Sequence, residues 1–305
     1  MQKRGRVLLL AALLVALAAL VALFALNPEP RYQGRHLSEW ILLYWEPDTP
    51  DADKTEAAEA IRAIGTNAVP DLVKWLPFKE PTAHARLRLR LLNLPILLPK
   101  RVREPLAVPP MLVRSLSAVS GFRALGTNAV SAIPALAVLA RDSDPTAATS
   151  FLAIQALAGI GDVALPALTN NLTSLLANRR AAIAQVLGEK IHFGNNPSLR
   201  LPPLLACLQD HDPLVAAAAA TSLGDLALDP DSVIPALQSA ADNHGVPTVR
   251  LPAIEAIGKF GPTARAAAPF LVRALASTKA DEARAGATAL RRVAPEMLTN
   301  APPQW

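Results

Sequence analysis

A proline followed two residues later by a leucine recurs along this chain at nearly constant spacing. Successive prolines of this pattern are 64, 32, 37, 32 and 34 residues apart, and the first gap is two periods long. A repeating unit of about 20–50 residues indicates an array of small structural units. Proline favours the first turn of a helix, so the leucine should mark that helix's buried face. The pairs are Pro70–Leu72, Pro134–Leu136, Pro166–Leu168, Pro203–Leu205, Pro235–Leu237 and Pro269–Leu271.

A second pattern, alanine followed by isoleucine or leucine and then glycine, precedes most of these prolines. Glycine just past a helix can adopt the left-handed conformation that ends it. Each unit is therefore predicted to contain a helix, a glycine turn, a second helix begun by proline, and a polar linker. The glycine-ended runs, two of them close variants of the pattern, are Ala63–Gly65, Ala124–Gly126, Ala158–Gly161, Ser222–Gly224 and Ala256–Gly258.

Helix pairs with this length and pattern resemble HEAT repeats. The resemblance rests on an A-x-x-A-(I/L)-G ending of the first helix, as in Ala253–Gly258, on the proline–leucine opening of the second, and on Asp-x-Asp-Pro linkers. It implies an all-α fold, a right-handed α-α superhelix, which we place at residues 51–300. An irregular insertion around 79–110 interrupts it, and residues 301–305 form a tail. A single amphipathic helical domain would not explain the fixed proline–leucine offset.

The composition excludes several other classes of protein. The 305 residues are 51% hydrophobic and 18% charged, so the 28 prolines do not make a disordered proline-rich chain. The single cysteine, Cys207, excludes an internal disulfide and a cysteine-based zinc site. The five histidines are scattered, and we expect neither a metal nor a cofactor.

The first 26 residues have the pattern of a membrane anchor. Lys3, Arg4 and Arg6 precede a run over residues 7–26 that has no polar side chain. As a helix this run would be about 30 Å long, the thickness of the hydrocarbon core of a bilayer. The basic residues predict that residues 1–6 are cytoplasmic and that the solenoid lies outside a bacterial cell membrane. A cleaved signal peptide, leaving a secreted or periplasmic protein, is the alternative.

Residues 27–50 are predicted to form a juxtamembrane linker and a capping helix. The stretch from Tyr32 to Trp40 resembles a Y-x-G-(K/R)-x-L-x-x-W segment that precedes HEAT arrays in bacterial membrane proteins. In one interpretation its helix covers the first repeat, because a terminal repeat lacks a neighbour. In the other, Trp40, Tyr44 and Trp45 lie in the membrane interface, where aromatic side chains are enriched.

The net charge does not indicate nucleic-acid binding. Three of the 30 basic residues precede the apolar run, so residues 27–305 carry 27 basic against 25 acidic residues. One local cluster lies within the insertion, where Arg86, Arg88 and Arg90 alternate with leucines. It could contact lipid headgroups or an acidic partner, or form a solvated surface.

The surface of the second helices is the predicted binding site. The fourth residue after each proline lies on a face away from the leucines, and solenoids bind through such continuous surfaces. A mixture of small and charged side chains suits a protein or peptide partner better than a polyanion. A solvated face without a ligand is the alternative. The positions are Lys74, Val138, Asn170, Cys207, Ser239 and Arg273.

The sequence has no motif of a known catalytic centre. Nucleophile-elbow, P-loop, His-Glu-x-x-His and Cys-x-x-Cys patterns do not occur. Asp210, His211 and Asp212 could hold a cation, but helix capping already explains aspartate before proline. We therefore predict a membrane-anchored, non-catalytic scaffold that binds another protein, with neither nucleic acid nor a small-molecule substrate. A HEAT-like lyase or enzyme subunit, and a secreted binding protein, are the alternatives.

Overall fold

Helical hairpins follow one another along the chain, and the first helix of each packs against the first helix of the next. The computed structural model describes residues 29–77, 110–141, 148–189, 196–244 and 246–298. A two-stranded hairpin, β1 (Arg31–Tyr32) and β2 (Arg35–His36), and helix α1 (Leu37–Trp45) come first. The first helices are α2 (Asp51–Ile64), α4 (Pro110–Leu125), α6 (Ala148–Ile160), α8 (Ala177–Gly188), α10 (Pro213–Leu226), α12 (Pro247–Lys259) and α14 (Ala280–Val293). The second helices are α3 (Val69–Trp75), α5 (Ile133–Ala140), α7 (Leu165–Asn170), α9 (Leu201–Leu208), α11 (Pro230–His244) and α13 (Ala268–Leu275).

The strand pair before α1 is a small departure from the predicted all-α fold. Its strands are antiparallel, with Arg31 opposite His36 and Tyr32 opposite Arg35. The hairpin lies over Trp40, whose indole nitrogen donates a hydrogen bond to the backbone oxygen of Tyr32 at 3.1 Å. Strand β1 thereby satisfies the only polar side-chain atom of this buried tryptophan, and the guanidinium of Arg35 lies 4.8 Å from the centroid of its ring.

Helix α1 packs against the first helical hairpin. Leu37, Trp40 and Ile41 are buried there, and α1 contacts both α2 and α4. Tyr44 is partly buried and Trp45 is 37% exposed. Of the three aromatic side chains considered for a membrane interface, Trp40 therefore lies in the protein core, as expected of a helix that covers a terminal repeat.

The core lies between the two layers of helices, and one leucine of each second helix is at its centre. The exposed fraction is 0% for each of these six side chains. The helical-repeat solenoid predicted from the proline–leucine spacing is confirmed. The leucines are Leu72, Leu136, Leu168, Leu204, Leu237 and Leu271.

The predicted register is wrong by one residue in a single repeat. Pro203, Leu205 and Cys207 were assigned there, but Leu205 is only partly buried whereas Leu204 is fully buried. Cys207 is 5% exposed, and burial raises the pKa of its thiol to about 11. A helix turns by about 100° per residue, so a shift of one position moves Cys207 from the surface into the core.

The glycine pattern has two structural roles, of which the sequence predicted one. Gly65 and Gly126 follow their helices with φ of 61° and 53°, as predicted. Gly224 and Gly258 instead lie inside α10 and α12, so the prediction that they end a helix is wrong. A Cβ atom on Gly224 would be 2.6 Å from the Cα atom of Ala256, so the absence of a side chain lets consecutive first helices approach closely.

One stretch of the described residues, Leu112–Ala140, is long and apolar enough to cross a membrane by length and composition alone. It contains both helices of one repeat, α4 and α5, joined by a 3₁₀ turn. Because α4 packs against α3 and both helices pack against α6, its apolar residues serve the solenoid core. The predicted anchor at 7–26 and nearly all of the insertion around 79–110 lie outside the described residues.

Candidate functional site

The second helices place the predicted binding residues on one exposed face. The fourth position after the repeated proline is exposed in all six described second helices, and we name this row the second-helix ladder. Five of these prolines are the second residue of their helix, but Pro235 lies inside α11, so the prediction that it begins the second helix is wrong there. It keeps the period of the buried leucines, so each hairpin contributes one outward side chain at an equivalent place. Arg86, Arg88 and Arg90, the other candidates, lie outside the described residues. The ladder consists of Lys74, Val138, Asn170, Ala206, Ser239 and Arg273.

The ladder is basic at both ends and uncharged between them. Lys74 begins it and Arg273 ends it. The guanidinium of Arg273 lies 5.6 Å from the centroid of the Phe270 ring, close enough for a cation–π interaction. The hydroxyl of Ser239 accepts a hydrogen bond from the side-chain amide of Asn243 at 3.0 Å. This surface therefore offers hydrogen-bonding groups and two separated positive charges.

The aspartates of the linker at 210–213 have structural roles. Both carboxylate oxygens of Asp210 accept hydrogen bonds from Arg180, from Nε at 2.7 Å and from Nη2 at 2.8 Å. Asp212 accepts one from the backbone nitrogen of Leu214 at 2.9 Å and so caps α10, as predicted from its place before proline. His211 is 88% exposed. Within the described parts of the chain, no three His, Cys, Asp or Glu residues lie close enough to hold a metal ion.

Two arginines at the fourth position of first helices connect neighbouring repeats. Arg180 joins α8 to the linker before α10, and Arg250 in α12 pairs with Glu282 of α14 at 2.6 Å. Arg250 also contacts Asp242 of the preceding second helix at 3.1 Å. Neither arginine is among the residues that the sequence analysis singled out, because each pair forms only where neighbouring repeats pack together.

Replacing Asp210 by asparagine should make stability less dependent on pH in the acid range. The hydrogen bonds from Arg180 hold the pKa of Asp210 below its ordinary value. The unfolded-state pKa of an aspartate is about 3.9, and a lower pKa in the folded state stabilises the protein at pH values above it. This stabilisation is lost as the pH falls through the folded-state pKa. At pH 7 we expect the Asp210→Asn variant to lose about 1.5–3 kcal/mol of unfolding free energy.

Urea unfolding at pH 7 and at pH 3 checks this expectation. The difference between wild type and Asp210→Asn should shrink at the lower pH. Glu255→Gln is the matched control, because Glu255 is an exposed carboxylate on α12. A constant difference at both pH values would show that the ion pair does not set the pKa of Asp210.

A groove between first helices is a feature that the sequence did not indicate. It has a volume of about 940 Å³ and runs between α6, α8 and α10. Phe151 and Leu214 stand at one end, 45% and 50% exposed, while Glu189 and Asp225 lie at the other. We name it the first-helix groove. It exists because four alanines on facing helices leave space; they are Ala181, Ala182, Ala217 and Ala218.

Comparison with known proteins finds one family model that matches part of the chain. Residues 201–291 match the family model for HEAT repeats, which covers α9 to nearly the end of α14. No curated protein sequence matches the chain.

Three solved structures are similar at low identity. A crystal structure of an engineered protein has 18% identity and a TM-score of 0.41, covering 84% of this chain and 78% of that one. Human deoxyhypusine hydroxylase in complex with glycerol has 16% identity and a TM-score of 0.33, with 73% and 95% covered. A designed armadillo repeat protein in complex with the peptide (KR)4 has 14% identity and a TM-score of 0.32, with 85% and 99% covered.

Proposed function

We propose that this chain is a HEAT-repeat protein and that it acts as a non-catalytic scaffold, which binds a protein or peptide partner along its second-helix ladder. The observation that carries the proposal is the constant exposure of the ladder position beside a constantly buried leucine. A surface that repeats with the fold presents equivalent side chains at regular intervals, which suits an extended ligand. Within the ladder, Lys74, Asn170, Ser239 and Arg273 are the polar side chains that would contact the partner.

The spacing of the ladder supports binding over catalysis. Packed helices are about 8–10 Å apart, so ladder side chains in adjacent repeats are separated by that distance. Catalytic groups must come within about 3 Å of the same reacting atom. Asn170 and Ser239 are short side chains two repeats apart and cannot converge in this way. The same separation allows each to hydrogen-bond a different residue of a partner chain.

The scaffold is also proposed to be anchored in a bacterial cell membrane through residues 7–26. The 20-residue apolar run and the basic residues Lys3, Arg4 and Arg6 support this proposal. The solenoid would then face the outside of the cytoplasmic membrane, and the cluster at Arg86, Arg88 and Arg90 is a second candidate for partner or lipid contact. Intact-mass measurement of the mature chain tests the anchor, because loss of about 25 residues would identify a cleaved signal peptide.

Site-specific photocrosslinking tests the ladder in cells that produce the protein naturally. A photoreactive amino acid replaces Asn170 or Ser239, and a matched control carries it at Asp231, which is exposed in the same layer but off the ladder. We expect the same crosslinked protein from both ladder positions and none from Asp231. Equal crosslinking from all three positions, or none from the ladder, would contradict the proposal.

A further inference from the structure

Each helical hairpin has two ends, and these ends form two opposite edges of the solenoid. At one edge the chain passes from the first helix to the second, and the 3₁₀ turns Gly65–Ala68, Gly126–Ala132 and Asp162–Ala164 contact one another in sequence. We name it the turn edge. The linkers to the next repeat lie at the other edge, which we name the linker edge. A first helix of 14 residues, such as α2, separates the two edges by about 20 Å.

Three large apolar side chains are exposed at the turn edge, one in each of three consecutive repeats. Val130, Val163 and Leu199 are 44%, 50% and 49% exposed. Leu199 lies in the turn before α9, and Arg200 of that turn donates a hydrogen bond to the backbone oxygen of Leu187, near the end of α8, at 2.9 Å. Covering such apolar area is favourable in proportion to the surface removed from water.

The linker edge also exposes apolar side chains, so exposure by itself does not decide which edge is covered. Leu175, in the linker before α8, is 98% exposed, and Val246, before α12, is 36% exposed. The two edges differ in their distance from the place where the chain enters the solenoid.

The described chain enters at the turn edge. Strand β2 ends at His36, directly before α1, and the backbone nitrogen of Leu37 donates a hydrogen bond to the backbone oxygen of Pro30 at 2.9 Å. Only five residues join α1 to α2, so the two packed helices are antiparallel, and the start of α1 lies beside the end of α2. Because α2 continues directly into the turn at Gly65, the strand pair is at the turn edge.

The turn edge is also the edge nearer to the proposed membrane span, and this step rests on the anchor proposed above. The span ends at residue 26, and the described chain begins three residues later, at Glu29. Three residues extend to at most about 11 Å, and the headgroup layer beside the hydrocarbon core is about 5–8 Å thick. The strand pair is therefore held close to the headgroups.

The strand pair carries side chains that suit a headgroup layer. Tyr32 is 36% exposed, and tyrosine is enriched where a membrane meets water. Arg31 and Arg35 are also exposed. Nε of Arg31 donates a hydrogen bond to Nδ1 of His36 at 3.4 Å, and the guanidinium of Arg35 lies over the ring of Trp40. A guanidinium can bind phosphate oxygens through two parallel hydrogen bonds.

The two carboxylates between residues 29 and 45 are engaged elsewhere in this segment. Glu29 accepts hydrogen bonds from the backbone nitrogen of Ser38 at 2.7 Å and from its hydroxyl at 3.0 Å. Glu39 accepts one from the backbone nitrogen of His36 at 2.9 Å. Among the described residues neither carboxylate forms an ion pair with an arginine of the strand pair. Both guanidinium groups are therefore available to an anionic partner.

The turn edge becomes acidic after the α8–α9 repeat. Asp229 lies in the turn between α10 and α11, Asp231 lies in the first turn of α11, and both are exposed. Anionic phosphates would repel these carboxylates. A contact with lipid therefore includes the strand pair and the turns up to Leu199, and ends before Asp229.

We propose that the turn edge, from the strand pair to Leu199, rests on the surface of the bilayer that holds the anchor. Tyr32 and the three exposed apolar side chains enter the headgroup layer, and the two arginines of the strand pair bind lipid phosphates. The helices then stand roughly along the membrane normal. The second-helix ladder faces sideways and stays accessible to a partner, so this contact can fail without affecting the proposal for the ladder.

Fluorescence quenching in vesicles tests the contact with the full chain. The vesicles contain phosphatidylcholine, phosphatidylglycerol and a lipid with a nitroxide on its headgroup. In a Cys207→Ala background, Val163→Cys and Leu199→Cys place a fluorophore on the turn edge. Leu175→Cys is the matched control on the linker edge, where the native leucine is more exposed than either. We expect the nitroxide to quench both turn-edge fluorophores at least threefold more strongly than the control.

A second set of variants tests the arginines. Arg31→Gln with Arg35→Gln removes both charges, and Arg273→Gln on the ladder is the control. Each basic residue near an anionic surface favours the bound state about fivefold, so the double variant should shift the equilibrium towards the detached solenoid by about 25-fold. Quenching at Val163→Cys should fall at least twofold in the double variant and stay unchanged in the control.

Extraction of the same vesicles with alkaline carbonate separates this contact from the anchor. Release of the protein would overturn both, because the contact rests on the anchor. A retained protein with equal quenching at Val163→Cys and Leu175→Cys, or with none at the turn edge, would overturn the contact and leave the anchor standing. Quenching that is unchanged by the double arginine variant would overturn the proposed binding of lipid phosphates.

Discussion

Replacing Leu168 or Leu237 by alanine is expected to lower the unfolding free energy by about 2–5 kcal/mol. Each leucine has no exposed surface and lies where its second helix meets the first-helix layer. Removing most of the side chain loses apolar burial and leaves a cavity that the surrounding helices can only partly fill. Urea denaturation followed by circular dichroism measures the loss.

Asn170→Ala is the matched control for the leucine variants. Asn170 lies two residues after Leu168 on the same helix, but its side chain is exposed on the ladder. We expect a change of less than about 0.5 kcal/mol, as is usual for surface positions. If Asn170→Ala destabilised the protein more than Leu168→Ala, the assignment of buried and exposed faces would be wrong.

Adding a single methyl group at Gly224 or Gly258 is expected to lower the unfolding free energy almost as much as the leucine-to-alanine changes do. A Cβ atom would lie 2.6 Å from the Cα atom of Ala256 in the first case and 2.8 Å from that of Ala289 in the second. Both neighbours are backbone atoms, so the helices must separate to make room. Overpacking of this kind costs about 1–3 kcal/mol, and we expect the upper end of that range for each alanine variant.

Gly65→Ala separates this steric effect from backbone strain. Gly65 has a φ of 61°, but nothing lies within 4 Å of an added Cβ atom. Gly65 combines a φ of 61° with a ψ of −137°, a conformation that residues with a side chain rarely adopt, and the cost there should be about 1–3 kcal/mol. Thermal melts in which Gly224→Ala was as stable as the wild type would contradict the close-packing role of Gly224.

The architecture could be predicted from the sequence because two signals coincide in every repeat. The repeated proline lies in the first turn of the second helix in five of the six described hairpins and inside α11 in the other, and the leucine two positions later is buried in all six. Spacing alone therefore identifies the hairpins. The prediction that was wrong by one residue, at Pro203, also has a simple cause. Leu201-Pro202-Pro203-Leu204-Leu205 contains two overlapping proline–leucine pairs, and only packing against the neighbouring helices selects Pro202 and Leu204.

The contacts between repeats were harder to predict because they depend on which residues face each other. Gly65 and Gly224 end the same kind of apolar run, yet one terminates a helix and the other lies inside one. Arg180 finds its partner 30 residues away, and no local pattern marks the pair. The first-helix groove likewise arises from alanines on two different helices, so it follows from their juxtaposition.

The ion pairs between repeats restrict how such a protein can lengthen during evolution. Arg250 needs the carboxylate of Glu282, which lies 32 residues further along the chain, in the next first helix. If the unit that contains α12 and α13 were duplicated in tandem, the first copy of Arg250 would face the equivalent of Val249 and lose that partner. A gene duplication would therefore need a compensating substitution at the new junction. The ion pairs between repeats thus limit which units can be copied or exchanged without loss of stability.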